Sequence, residues 1–127
     1  VANDVLLFLV DTLAETKLPV YAEELPHSFE LTKLPALHVH EIGPAARSPA
    51  LNTLGVDVQD VDLEIFVTPE MWDSGEAHDL AHRLRSWLMH RSRGAFRIQD
   101  IGRPIRRPDI NEAVRRYAFT IRIALPA

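Results

Sequence analysis

The sequence predicts an α+β fold, a two-layer sandwich. Two main helices lie on one face of a four-stranded, mainly antiparallel sheet, in the order α-β-β-α-β-β. Three observations predict it. Apolar residues recur at helical spacing in two segments, one near the amino terminus and one past the middle. Four other segments alternate apolar and polar residues with a period of two. With 127 residues, 46% hydrophobic and 25% charged, the chain has the balance of one globular domain, taken as residues 1–127.

The first helix runs from Asn3 to Thr16. Asn3 or Asp4 can cap its first turn. Val5, Leu6, Leu9, Val10 and Leu13 then form a single apolar stripe, and Pro19 lies just beyond its end. Residues 17–35, punctuated by Pro19, Pro26 and Pro35, read as an irregular connector with room for one short strand. In the run ALHVHEI (36–42), Leu37 and Val39 point to one face and His38 and His40 to the other. Residues 43–55 hold two glycines and two prolines and show no periodicity, so they read as a protruding loop between two strands.

Asp57 to Val67 reads as a long strand. Val61, Leu63, Ile65 and Val67 share one face, and Asp60, Asp62, Glu64 and Phe66 share the other. Val56 and Val58 fall in the opposite phase, which suggests a bulge near Gln59. A second helix is expected from about Ser74 to His90, opened by a capping box of Asp73 and Glu76. Its apolar face is Ala77, Leu80, Ala81, Leu84, Trp87 and Leu88, with Arg91, Arg93 and Gly94 suited to its end. Ala95 to Ile101 reads as a strand, followed by a loop holding Gly102, Pro104 and Pro108. The last strand, Ala113 to Leu125, sends Tyr117, Phe119, Ile121, Ile123 and Leu125 to one face. Arg116, Ala118, Thr120, Arg122 and Ala124 go to the other.

Charge divides the chain. Residues 1–70 carry three basic and twelve acidic side chains, and residues 71–127 carry eleven arginines and six acids. That asymmetry suits an acidic surface meeting a basic one, within the fold or between copies. A net charge of −4 is a poor fit to a dedicated DNA binder. Cysteine is absent, which excludes disulfides and thiolate sites. No apolar run approaches the roughly 18 residues of a membrane span, and Val5 to Val10 lacks the basic flank of a signal peptide.

The sequence carries little catalytic chemistry. His78 and His82 have i, i+4 spacing, but Asp79 replaces the glutamate of the zinc protease motif, and both histidines flank the apolar stripe. His38 and His40 share a strand face with no evident third ligand, and so read as surface. Asp60, Asp62 and Glu64 stand in a row, with Arg116 and Arg122 as expected cross-strand charge partners. Arg103, Arg106 and Arg107 flank a turn and could contact phosphates, but aromatics for base stacking are missing beside them. No phosphate-cradling glycine loop or nucleophile elbow occurs. The expected sets of catalytic, metal and cofactor residues are therefore empty.

Several stretches carry a resemblance. They are PALHVHEIG (35–43), DVDLEIFV (60–67), GEAHDLAHRLRSWL (75–88) and AFRIQDIGRPIRRPDINEAVRRYAFTIRIAL (95–125). In pattern and order these resemble the tail terminator proteins of long-tailed bacteriophages over roughly residues 35–125. The resemblance implies a virion structural role at the tail or neck, after assembly in the host cytoplasm. It implies a ring, commonly of six copies, that ends tail-tube polymerisation and offers a surface for head attachment. The implied partners are other copies of the chain, the tail tube protein and a head-completion or connector protein, with transient DNA in the lumen and no membrane. A closing ring needs two different patches on each copy. The expected interface residues are Asp60, Asp62, Glu64, Arg103, Arg106, Arg107, Arg116 and Arg122, with Arg47 and Leu51 in the loop. Two alternatives remain at this level: a head–tail connector, stopper or other minor tail protein, and a small-ligand or nucleic-acid binding α+β module.

Overall fold

A computed structural model of the chain describes residues 3–22, 34–47, 56–91, 96–111 and 114–126. Helix α1 (Asn3–Leu13) runs into a 3-10 turn (Ala14–Thr16), and strand β1 (Val20–Ala22) follows. Next come β2 (Ala36–Arg47), β3 (Val56–Val67), α2 (Pro69–Ser74) and α3 (Glu76–Leu88). The chain then forms β4 (Arg97–Ile101), β5 (Ile105–Asn111) and β6 (Val114–Pro126). All six strands join one sheet in the order β1-β2-β3-β6-β4, with β5 also paired to β6.

This corrects the expected architecture. The sheet has six strands rather than four, and it is mixed, because β1 pairs parallel to β2 while the other pairings are antiparallel. Among the described residues, three short helices replace the expected two. Both departures have local causes. The segment around Pro108 was expected to be loop, yet β5 pairs only with β6 and so lies at an edge. An edge strand tolerates a proline, whose missing N–H can fall on the unpaired side.

The second expected helix starts earlier and is broken. Thr68 caps α2, its hydroxyl accepting from the Met71 amide at 3.2 Å, and Pro69 occupies the first helical position. Gly75, at φ 87°, ends α2 and opens α3, so the expected Asp73–Glu76 capping box does not form. A left-handed residue at this point is inexpensive only for glycine.

The expected bulge lies opposite Gln59, but the surplus residues are on β2. Ile42 pairs Asp60 and Ala46 pairs Val58, so Gly43, Pro44 and Ala45 together face one residue. The side chain of Gln59 donates to the Ile42 carbonyl at 3.4 Å and to the Asp60 carbonyl at 3.0 Å, filling that irregularity. The first five residues of the expected 43–55 loop are therefore strand, and residues 48–55 lie outside the described residues. In the expected connector, residues 20–22 form β1, and residues 23–33 lie outside the described residues.

The core lies between one sheet face and the helices. Val5, Leu9 and Leu13 of α1 and Ala77, Ala81, Leu84 and Leu88 of α3 pack with Val39, Leu63, Ile65, Phe119, Ile121 and Ile123. Fully burying a Val, Leu, Ile or Phe side chain among these stabilises by about 1.5–3 kcal/mol. Two contacts tie the helices to β4 and the residues that flank it. Arg85 of α3 donates to the carbonyls of Ile101 and Gly102, its closest approach being 2.9 Å, and Phe8 stacks on Phe96 at 5.1 Å. The charged residues of β3 project from the opposite sheet face, where Asp62, Glu64 and Phe66 are buried.

Candidate functional site

That second face is built by strand alternation. Odd-numbered β3 residues from Gln59 to Val67 point toward the helices, so Val58, Asp60, Asp62, Glu64 and Phe66 share the far side. Pairing places His38 opposite Glu64 and His40 opposite Asp62 on β2. On the other flank, Arg122 stands opposite Asp60, and Arg107 of β5 pairs with Arg116 of β6.

The result is a ladder of three carboxylate–arginine pairs. Asp60 accepts from Arg122 in bidentate fashion, at 2.9 and 3.1 Å. Asp62 accepts from Arg107 at 2.9 Å, and Glu64 from Arg116 at 2.6 Å. The pairs grow more shielded away from the Asp60 end. Arg122 is exposed and its guanidinium pKa is raised by the hydrogen bond and charge of Asp60. Asp62 and Glu64 are buried, at 1% and 5% exposure. Three acids and three arginines balance, which lets charge sit at low exposure without a net excess.

The histidines complete the cluster. His38 Nδ1 lies 3.0 Å from Glu64 Oε1. Beside it, His40 places Nδ1 3.8 Å from Glu64 Oε1 and Nε2 3.7 Å from Asp62 Oδ2. The two imidazole centroids are 5.2 Å apart. The Glu64 carboxyl is held below its ordinary range, first by the His38 hydrogen bond and then by the Arg116 charge, against the opposing effect of burial. Two buried polar atoms here lack any hydrogen-bond partner: His40 Nδ1 and Asp62 Oδ2.

Of the expected site residues, Asp60, Asp62, Glu64, Arg107, Arg116 and Arg122 come together on this face. Arg106 does not join them, because it stands opposite Tyr117 and lies over the Trp72 ring at 5.2 Å on the helix side. Trp72 in turn stacks on Tyr117 at 4.4 Å. Arg103 is exposed in the link between β4 and β5. At the end of β2 the Arg47 backbone pairs with Asp57, and Leu51 lies outside the described residues.

His38 and His40 were expected to be surface residues without a third ligand. The third group is Glu64, directly across the β2–β3 pairing from His38. The signal was the shared period of two in both segments: once their register is set, two histidines face two carboxylates. The partnership of Arg107 with Asp62 left no such trace, since the β5 segment reads as loop.

A separate open groove of about 560 Å³ lies between the end of α1 and α3, lined by Glu15, Thr16, Leu18, Leu80, Arg83, Leu84, Trp87 and Arg91. His78 and His82 sit exposed on α3 with ring centroids 4.2 Å apart, and they have no carboxylate grouped with them among the described residues. No protein-family model matches the chain, and no curated protein matches it.

Proposed function

We propose that the chain is a bacteriophage tail terminator, a structural protein that forms a ring on the end of the tail tube. The ring stops tube growth and offers a surface for head attachment. The sequence resemblance over roughly residues 35–125 is one support. The observation that carries the reading furthest is that, among the described residues, the two edges of the sheet are unlike. One edge is the three-residue, parallel-paired β1, and the other is β4 followed by β5 along the same flank of β6. Two different edges suit a head-to-tail contact that closes into a ring, whereas a two-fold pair needs the same patch on both copies.

The structure shifts the emphasis among the expected interface residues. Asp62 and Glu64 are engaged by arginines of their own chain and buried, so they hold the subunit together rather than reach a neighbour. The exposed Arg103, Ile105 and Arg106 at the β4–β5 edge are the better contact candidates. The acidic first half of the chain, which includes the exposed Asp11 and Glu15, supplies complementary charge for the neighbouring subunit.

Native mass by light scattering over a wide concentration range tests this. A closed ring, six copies by expectation, should accumulate as concentration rises or when tail tubes are added. A dimer that neither grows nor binds tubes contradicts the reading.

A further inference from the structure

We propose that His38, His40 and Glu64 form a binding site for a divalent transition-metal ion of the zinc class. One ligand atom from each residue lies within 4.8 Å of the other two. Glu64 Oε1 is 3.0 Å from His38 Nδ1 and 3.8 Å from His40 Nδ1. Ligand atoms around tetrahedral zinc, at metal distances near 2.1 Å, stand about 3.4 Å apart. The two separations from Glu64 bracket that value, and the two imidazole nitrogens, within 4.8 Å of one another, close on the ion by rotation of the partly exposed His40 ring.

The unpartnered atoms are an independent observation. His40 Nδ1 is buried without a hydrogen bond, although it faces the Glu64 oxygen. A lone pair kept from solvent and from protein donors is costly unless something fills it. Asp62, 1% exposed, leaves Oδ2 equally unpartnered and aims it at the other nitrogen of the same ring, 3.7 Å from Nε2. With a metal on Nδ1, the imidazole carries its proton on Nε2 and donates to Asp62. That is the carboxylate–histidine–metal arrangement which fixes tautomer and ring orientation in metal sites. Both idle atoms are then satisfied by one ion.

The arginines set the rest. Arg116 holds Glu64 Oε2, leaving Oε1 as a single-oxygen ligand, and Arg107 holds Asp62 by Oδ1. The His40 side chain is 33% exposed and gives an approach from solvent, while the fourth coordination position falls to water. Two imidazoles and one carboxylate favour zinc over calcium or magnesium, which prefer all-oxygen shells. Binding takes His38 Nδ1 from its contact with Glu64 Oε1 and places both atoms on the ion.

Zn²⁺ added to the full chain tests the site, with an indicator chelator in competition and thermal melts in parallel. One ion per chain should bind, and the melting temperature should rise by several degrees. Co²⁺ in its place should give the visible absorption of a four-coordinate site. His40→Ala should lower affinity at least tenfold, and its own melt in the absence of metal checks that it still folds. The double variant H78A/H82A removes the exposed helical pair and should leave stoichiometry and affinity unchanged. Absence of stoichiometric binding overturns the proposal. So does binding that persists in a folded His40→Ala chain, or that disappears with H78A/H82A.

Discussion

Arg107 donates to Asp62 at 2.9 Å across 45 residues of sequence, tying the edge strand β5 to the central strand β3. The carboxylate it holds is 1% exposed, while the arginine side chain is one-third exposed. The pair therefore keeps one charge dry and the other at the solvent boundary. Removing Arg107 strands a buried anion. Losing one partner of a fully buried pair costs about 3–5 kcal/mol, and water reaching a half-open site reduces this, so R107A should cost about 1–3 kcal/mol in a denaturant melt. R122A should leave the melt close to that of the unaltered chain, because the Asp60–Arg122 pair is exposed. Equal losses for the two variants would show that burial does not grade the ladder.

Acid should weaken the fold through Glu64. Its carboxyl pKa is lowered from 4.5 in the folded state, with the His38 hydrogen bond as the largest cause. A group depressed on folding contributes stability above its unfolded pKa and loses it as pH falls through the folded value. Chemical denaturation from pH 7 downward should therefore show the gap between the unaltered chain and Glu64→Gln narrowing below about pH 4.5. A gap that widens in acid would reverse the sign of the argument.

Leu84 projects from α3 into the sheet and is 4% exposed. Leu84→Ala should cost about 2–5 kcal/mol, the lost transfer free energy plus a cavity. A loss below about 0.5 kcal/mol in a urea melt would mean that α3 does not pack by this face.

Thr68 supplies the cap that α2 depends on. Thr68→Ala should cost about 1 kcal/mol, and Thr68→Ser, which keeps the hydroxyl, should restore most of it. Identical losses for both substitutions would assign the effect to the methyl group instead.

The sequence read well where periodicity was long and one-sided. The stripes of α1 and α3, the strands 36–42 and 57–67, and the final strand all follow from residues that must reach one core. It read poorly where local rules compete with sheet position. Pro108 signals a loop by itself, and only its place at the edge beside β6 allows a strand there. Thr68–Pro69 and Gly75 carried the helix boundaries, yet the Asp73–Glu76 pair matched a capping signature and drew the start downstream. The ladder was half legible. Arg116 and Arg122 were foreseeable as cross-strand partners, whereas the pairing of His38 with Glu64 needed the β2–β3 register. That register shifts at Gly43 to Ala45, where the phase of Val56 and Val58 announces an irregularity near Gln59 but not which strand carries the surplus residues.

As the proposed tail terminator, this chain should end tail-tube growth. The most direct test is the distribution of tail lengths, by electron microscopy, in particles assembled without it. Tubes of uneven and excess length, with heads left unjoined, are the expected result. Tails of normal, uniform length attached to heads would contradict it.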